Sequence, residues 1–445
     1  MGKYFGTDGF RGEANKTLTA SFAYEIGRFL GWYFGKEKER RARGVIGKDT
    51  RRSSYMLEYA LAAGMAASGA DPHLLHVTTT PSVSYITRCD DFDFGVMISA
   101  SHNPFYDNGI KLFCGNGEKM GDDVLNLCEE YLDRAYAIPY AHRERIGRTV
   151  DYLEGRRRYI GHLISLASFS LVGYRIGLDC GNGSTWQMAK EVFDTLGAKT
   201  HVIGAEPNGV NINLGCGSTH IEGLQALVIR EGLNLGFAFD GDGDRLICVD
   251  ERGQVVDGDG ILYLLALEQL EKGTLTGEVV GTLMTNKGLE NALRDRGVSL
   301  ARTPVGDRFV YEYMREHGSS LGGEPSGHII LSQYATTGDG LLTALKLLEV
   351  LVRRKITLGE GLAGLCLLPL CQLDIPAESG REILALPCVR DGIAKLIQEM
   401  GDRGRLVVRP SGTEPKIRVM CEGEEMGMCR GYCEQVKKLI LGTDA

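Results

Sequence analysis

At 445 residues the chain is long enough for about three domains of ordinary size. Fifty Lys and Arg against 58 Asp and Glu leave a net charge of −8, so the molecule lacks the basic field that gathers nucleic acid. Hydrophobic residues make up 43% and charged residues 24%, and no apolar run reaches the roughly 18 residues of a bilayer span, so a membrane is not an expected partner either.

From residue 44 the pattern alternates. An apolar run (44–47) precedes a helix-period stretch (55–67), a second run (73–77) precedes helical periodicity from Pro81, and a third run covers 92–98. Charge is dense between residues 134 and 158. Alternation resumes with a strand over 175–180, a helix over 187–196 and a strand over 233–239. A further round has strands at 278–283, 299–305 and 328–331, with helices over 289–296, 310–317 and 340–354. After an apolar linker near 365–370 the order becomes strand, helix, strand (405–409), strand (416–421) and a last helix ending near Leu441. This predicts an α/β protein: three α/β repeat domains with mixed or parallel sheets (1–150, 151–252 and 253–366) and a C-terminal α+β domain (367–445). The start of the chain shows neither an apolar signal core nor a small-residue cleavage site, which points to the cytoplasm. The 12 cysteines, with no C-x-x-C pair, read as small core residues of a reducing compartment.

Sixty glycines cluster with polar residues where predicted strands end, the place where open α/β sheets build sites. The first such loop is Ser99-Ala100-Ser101-His102-Asn103-Pro104. Ser101, with His102 beside it and Lys111 nine positions further on, is placed like a nucleophile with acid/base and cationic help; a Ser/Asx turn stopped by Pro104 is the plainer reading. The second is Asp240-Gly241-Asp242-Gly243-Asp244-Arg245. Three alternate carboxylates repel one another unless a divalent cation intervenes. An EF-hand is excluded, because its sixth position needs Gly where Arg245 stands and the preceding segment reads as a strand; a Mg²⁺ site completed by a phosphate oxygen fits better. In the third, Gly323-Glu324-Pro325-Ser326-Gly327-His328, the residues Glu324, Ser326 and His328 alternate, so an extended segment would present all three on one face to sugar hydroxyls. The neighbouring Gly318-Ser319-Ser320-Leu321-Gly322 matches G-x-S-x-G, but helical periodicity precedes it where a nucleophile elbow needs a strand. The fourth loop, Arg409-Pro410-Ser411-Gly412-Thr413-Glu414-Pro415 with Arg418 beyond, offers two guanidiniums, two hydroxyls and a free backbone to a phosphate; an ordinary hairpin turn is the alternative. Together these parts suit phosphoryl transfer to a phosphosugar, where positioning and charge neutralisation do most of the work.

These four loops, with Gly6-Thr7-Asp8-Gly9-Phe10-Arg11-Gly12 at the start, resemble the ordered signatures of the α-D-phosphohexomutases, and the resemblance runs from residue 4 to the C-terminus. Phe10, where isoleucine is common, and Pro325 are mild departures. The resemblance implies four domains around a central cleft and a phosphorylated Ser101 that exchanges its phosphoryl group with the sugar. It implies one Mg²⁺ per subunit on Ser101, Asp240, Asp242 and Asp244, with Arg11, His102, Lys111 and Arg245 around the reacting phosphate. Lys111 would be the general acid/base, which requires neighbouring cations to lower its pKa. Glu324, Ser326 and His328 would hold sugar hydroxyls, and Arg409, Ser411, Gly412, Thr413 and Arg418 the other phosphate. Within the family, the segment 207–213 and Ala100 point to the amino-sugar branch: glucosamine 6-phosphate to glucosamine 1-phosphate through glucosamine 1,6-bisphosphate, toward UDP-N-acetylglucosamine and the cell wall. Glucose or mannose phosphates are the alternative substrates, since the loops with chemistry are shared. A phosphosugar is the expected partner, nucleic acid and membrane are not, and a homodimer is left open.

Overall fold

Arg43–Lys48, Asp71–Val77 and Phe94–Ile98 are strands separated by the helices Arg52–Ala67 and Thr80–Cys89, and they pair in parallel, as the alternation predicts. Thr79 starts the second of these helices by accepting a hydrogen bond from Ser82 N, and Pro81 lies in its first turn, where a missing N–H costs nothing. The computed structural model describes residues 2–6, 8–36, 38, 40–410 and 415–442. Contacts divide the chain into two units, Met1–Thr282 with Thr303–Leu362, and Leu283–Arg302 with Ala363–Ala445.

In the first unit the sheets are mixed. Asp107–Cys114 returns antiparallel beside Phe94–Ile98, with Met97 opposite Lys111, and Phe10–Glu13 pairs antiparallel with it at the sheet edge. The second sheet repeats the device: Leu246–Val249 returns antiparallel beside Leu235–Phe239, next to the parallel strands Arg175–Asp179 and Lys199–Ile203. A third set of strands joins Val279–Thr282 in parallel to Leu321–Gly323, which pairs antiparallel with Ile329–Leu331. Five helices of eight residues or more add to those read from the sequence: Ala20–Gly35, Asp122–Leu132, Leu153–Ser165, Glu222–Glu231 and Gly258–Lys272. The third begins inside the charge-dense stretch read as a break, because Tyr159, Ile160 and Leu163 give it a buried face despite three consecutive arginines. The main core of this unit is built by Phe29, Leu30, Ile46, Leu61, Phe94 and Ile98 and their neighbours, all buried.

The second unit is an antiparallel sheet in the order Leu370–Pro376, Lys416–Gly423, Gly404–Pro410, with the helices Pro387–Met400 and Met426–Leu441 packed on it. Ile375, Val389, Ile417, Val419 and Val436 form its core. The helix Lys287–Arg294 joins this unit through Lys287 N, which donates to the buried Glu422 Oε2 at 3.1 Å, while Arg405 Nη2 reaches Glu422 Oε1 at 3.1 Å.

Candidate active site

Ser101 lies at the carboxyl end of Phe94–Ile98, 1% exposed, with φ at +52°. A residue with a Cβ pays about 1–2 kcal/mol for that left-handed conformation, so something must hold it there. Arg51 Nη2 and Asn213 Nδ2 each donate to the Ser101 carbonyl at 2.8 Å, and Ser101 N donates to Ser99 Oγ at 2.9 Å. Ser99 Oγ in turn donates to Asp49 Oδ2 at 2.7 Å, and the same carboxylate oxygen takes Arg51 Nε at 2.7 Å. The strained turn therefore rests on a buried ion pair, with Ser101 Oγ left to face the second loop.

That loop joins the antiparallel strands Leu235–Phe239 and Leu246–Val249, and it comes so close that a Cβ on Gly241 would lie 2.5 Å from the Ser101 carbonyl. Gly243 turns it with φ at +71°. Ser101 Oγ donates to Asp240 Oδ2 at 2.5 Å, and His102 Nδ1 lies 3.3 Å from the same hydroxyl. Burial, then Arg245 and Arg11, push the His102 pKa down to about 4, leaving the ring neutral and able to accept. Asp240, Asp242 and Asp244 each place a carboxylate oxygen within 4.8 Å of the others, all buried. Burial and the charges of Asp244 and Asp242 hold Asp240 well above the usual carboxylate range. For Asp244 burial acts the same way, but Lys111 and then His328 outweigh it and hold the group well below that range.

Lys111 is 2% exposed, and its Nζ lies 2.8 Å from Asp242 Oδ2, 3.2 Å from Asp8 Oδ2 and 3.4 Å from Asp244 Oδ2. The sequence expectation of a lysine acidified by cations is corrected here. Burial opposes the charge, yet three carboxylates outweigh it and raise the Lys111 pKa well above its ordinary value. Asp242 Oδ1 and Asp244 Oδ1 are buried without a hydrogen-bond partner among the described residues. Two orphaned anionic oxygens beside a third carboxylate are the hard donor set that Mg²⁺ takes, so these residues fit the metal. Arg11 pairs with Asp8, and Arg245 Nε lies 3.9 Å from Asp244 Oδ1. The Nε atoms of both arginines are buried without a hydrogen-bond partner among the described residues, as donors waiting for an anion are.

The third loop is a hairpin turn, not the extended segment expected: Gly327 N donates to the Glu324 carbonyl at 3.0 Å and Glu324 N to the His328 carbonyl at 3.1 Å. Glu324 and His328 thus face each other across the turn, and Ser326 sits at its tip, its Oγ buried and unbonded. Two glycines and Pro325 favour a turn over continued strand, and alternation alone did not reveal it. His328 is buried; its Nε2 accepts from Gly338 N at 2.9 Å and its Nδ1 lies 3.7 Å from Asp244 Oδ2. The hydrogen bond from Gly338 N occupies Nε2, and Nδ1 lies beside the carboxylate loop. Glu324 Oε1 accepts from Gly306 N at 3.1 Å, and burial raises the Glu324 pKa. Around Gly318–Gly322 the helix Asp307–His317 precedes and a strand follows, the wrong order for a nucleophile elbow.

In the second unit Arg409 and Arg418 are directly opposed across two antiparallel strands, and burial, then the Arg418 charge, lower the Arg409 pKa. Two guanidiniums brought together in this way suit an anion. Ser411, Gly412 and Thr413 lie outside the described residues.

Asp49, Arg51, Thr80, Lys119 and Asp307 escaped the sequence reading, and Asn213 entered it only as part of the segment 207–213. Thr80 Oγ1 donates to Asp242 Oδ2 at 2.5 Å, and Lys119 Nζ bridges Asp8 Oδ1 at 2.8 Å and Asp307 Oδ2 at 2.5 Å. Asp49, Arg51 and Thr80 follow the carboxyl ends of Arg43–Lys48 and Asp71–Val77, so the strand-end rule applied to every strand would have flagged them.

Four consecutive segments match the models of one family. Residues 2–137, 157–253 and 257–366 match phosphoglucomutase/phosphomannomutase alpha/beta/alpha domains I, II and III, and 373–439 match its C-terminal domain. The chain is 56% identical over 443 residues to a phosphoglucosamine mutase of Lachnospira eligens, covering 99% of this chain and 98% of that protein. A phosphoglucomutase/phosphomannomutase family protein of Burkholderia thailandensis superposes with a TM-score of 0.84 at 25% identity, covering 100% of this chain and 98% of that one. An N-acetylphosphoglucosamine mutase of Aspergillus fumigatus shares the fold, with a TM-score of 0.72 at 18% identity over 98% and 95% of the two chains. With all four family segments present in order and more than half of its residues shared with a curated member along nearly its whole length, the chain belongs to the phosphoglucomutase/phosphomannomutase family, the α-D-phosphohexomutases.

Proposed function

We propose that this chain interconverts glucosamine 6-phosphate and glucosamine 1-phosphate. The observation that carries the reading is the juxtaposition of Ser101 Oγ with the three-carboxylate loop, 2.5 Å from Asp240 Oδ2 and 139 residues away in sequence. The amino sugar is favoured over glucose or mannose by full-length relatives named phosphoglucosamine mutase at 43–56% identity.

In this reading the phosphorylated Ser101 gives its phosphoryl group to the free hydroxyl of the sugar monophosphate, so that the Ser101 Oγ–P bond breaks, a P–O bond to the sugar forms and the proton lost by the sugar hydroxyl is balanced by the one gained at Ser101 Oγ. The glucosamine 1,6-bisphosphate so made turns around and returns its other phosphoryl group to Ser101. Asp240, Asp242 and Asp244, with a phosphoserine oxygen, are the residues that would hold Mg²⁺, which supplies charge neutralisation at the phosphoryl oxygens when bound. Arg11 and Arg245 aim their Nε donors at the same charge, and Lys111 adds a positive charge. Neutral His102, its Nδ1 3.3 Å from Ser101 Oγ, flanks the oxygen from which the phosphoryl group leaves. Glu324 and Ser326 take sugar hydroxyls, and His328 holds Asp244 against the hairpin. Arg409, Arg418 and the loop Ser411–Thr413 hold the phosphate that is not reacting. The division into domains 1–150, 151–252, 253–366 and 367–445 belongs to the same proposal, as do a reaction in the cytoplasm and a homodimer.

A panel of glucosamine, glucose and mannose 6-phosphates turned over with Mg²⁺ tests it. The expected result is a kcat/KM highest for glucosamine 6-phosphate by tenfold or more, and equal or higher values for either neutral hexose would overturn the substrate assignment.

A further inference from the structure

Against a net charge of −8, one open groove in the first unit is lined by six lysines and arginines and, among the described residues, one carboxylate, Glu144. It holds about 810 Å³ and runs between the end of the helix Ala20–Gly35 with the turn after it and the segment 139–145, over Ser68 and Gly69. Segment 139–145 lies between the stretches matching family domains I and II, far in sequence from every loop assigned above.

Not all of its cations are spare. Lys38 and Arg40 share the carboxylate of Asp93, and Arg41 lies 3.9 Å from Asp71 Oδ2. Lys36, Arg143 and Arg145 have no carboxylate partner among the described residues; Lys36 Nζ instead lies over the rings of Trp32 and Tyr33, 5.1 and 4.7 Å from their centroids. Two aromatic side chains, Trp32 and Tyr140, line the same groove. Tyr140 is 58% exposed, yet it is anchored from behind. Arg28, 2% exposed, lies 3.6 Å from its ring centroid, and the guanidinium is fixed by hydrogen bonds to Ser68 Oγ at 2.9 Å, the Ile138 carbonyl at 2.6 Å and the Pro139 carbonyl at 3.2 Å. No carboxylate pairs with Arg28 among the described residues, so a desolvated cation serves only to hold the segment 138–140 and an outward-facing aromatic ring. An aromatic face kept in water beside Lys36, Arg143 and Arg145, none of them ion-paired among the described residues and with Glu144 the one carboxylate described in the lining, suits a planar base joined to phosphates.

We propose that this groove binds a nucleoside diphosphate, its base on Tyr140 and Trp32 and its phosphates between Lys36, Arg143 and Arg145. The site is separate from the Ser101 chemistry, and none of these residues belongs to the catalytic machinery.

Trp32 is one of two tryptophans, so the Trp186→Phe protein carries a single reporter in the groove. UDP, ADP and inorganic pyrophosphate are titrated against that protein with Mg²⁺ and saturating glucosamine 6-phosphate, which keeps the phosphate-binding parts of the active site occupied. The expected result is a saturable change in Trp32 emission with UDP and ADP, and binding of pyrophosphate at least tenfold weaker. In Arg143→Ala/Arg145→Ala on the same background the nucleotide affinity falls tenfold or more while turnover without nucleotide is unchanged. A further Tyr140→Ala variant brings the nucleotides down to the affinity of pyrophosphate. No saturable change, equal nucleotide affinity in the double variant, or pyrophosphate as tight as UDP would each overturn the proposal.

Discussion

At Ser101 a residue with a Cβ is kept in the left-handed region by Arg51 and Asn213, and the site depends on that turn as much as on the hydroxyl. Ser101→Ala deletes the group that accepts phosphate and no core volume, so turnover should fall about a thousandfold or more with the melting temperature within a few degrees of the parent; steady-state assays and calorimetry check both. Arg51→Lys separates positioning from chemistry. A lysine carries the charge but cannot reproduce the fork that meets Asp49, Ser101, Asn103, Pro104 and Asp107 at once, so kcat should drop tenfold or more with KM changed far less. Unchanged kcat in Arg51→Lys would mean that the turn needs no such support. The chemistry at this scale was legible: a serine, three alternate carboxylates and clustered arginines name their reaction by composition. What holds them was not, because Asp49 and Arg51 act through buried contacts with residues about 50 positions away, which no local pattern encodes. The sequence named Lys111 but not the direction of its pKa, since the sign depends on which charges the fold brings to it, and the largest of those are carboxylates.

Between elements, the loops that carry the serine and the carboxylates each connect a parallel strand to an antiparallel one, Phe94–Ile98 to Asp107–Cys114 and Leu235–Phe239 to Leu246–Val249. The alternation of apolar runs and helical stretches revealed Arg43–Lys48, Asp71–Val77, Phe94–Ile98, Arg175–Asp179 and Leu235–Phe239, but it missed the parallel strands Lys199–Ile203 and Leu321–Gly323. It missed Asp107–Cys114, which opens with polar Asp107, Asn108 and Gly109, and it missed Gly258–Lys272, which is buried nearly all round and so has no polar stripe to set a period. The entry to Phe94–Ile98 supplies a pH test. Asp93 is buried and takes Arg40 Nη1 and Nη2 at 2.7 and 2.8 Å, Arg43 N at 2.7 Å, and Lys38. Burial alone would raise its pKa, but Arg40, Lys38 and the Arg43 N–H outweigh that and hold it below its ordinary 3.8. A folded pKa below the unfolded one means stability that is complete above the unfolded value and lost as pH falls through the folded value. Lys38 and Arg40 are partly exposed and can return to water, so Asp93→Asn should cost about 1–3 kcal/mol near pH 7. Urea titrations of parent and variant should converge as the pH is taken below about 4; a gap that stays constant would show that the charge of Asp93 contributes nothing.

Over the whole molecule the account divides labour between a unit with the reacting groups and a unit whose Arg409 and Arg418 face each other across two strands. Arg418→Ala should lower kcat/KM for both glucosamine monophosphates about ten- to hundredfold while Mg²⁺ affinity stays normal, and should release bisphosphate into solution before it reorients. Equal kinetics without free bisphosphate would move the second phosphate site elsewhere. The central claim is that Ser101 carries the phosphoryl group between the two ends of one sugar. Incubating the Mg²⁺-loaded protein with glucosamine 1,6-bisphosphate labelled on both phosphates, followed by peptide mapping, measures this directly. The account predicts label on the peptide containing Ser101, its transfer to unlabelled glucosamine 6-phosphate, and none in Ser101→Ala. Label on another residue, or turnover with Ser101 unlabelled, would contradict it.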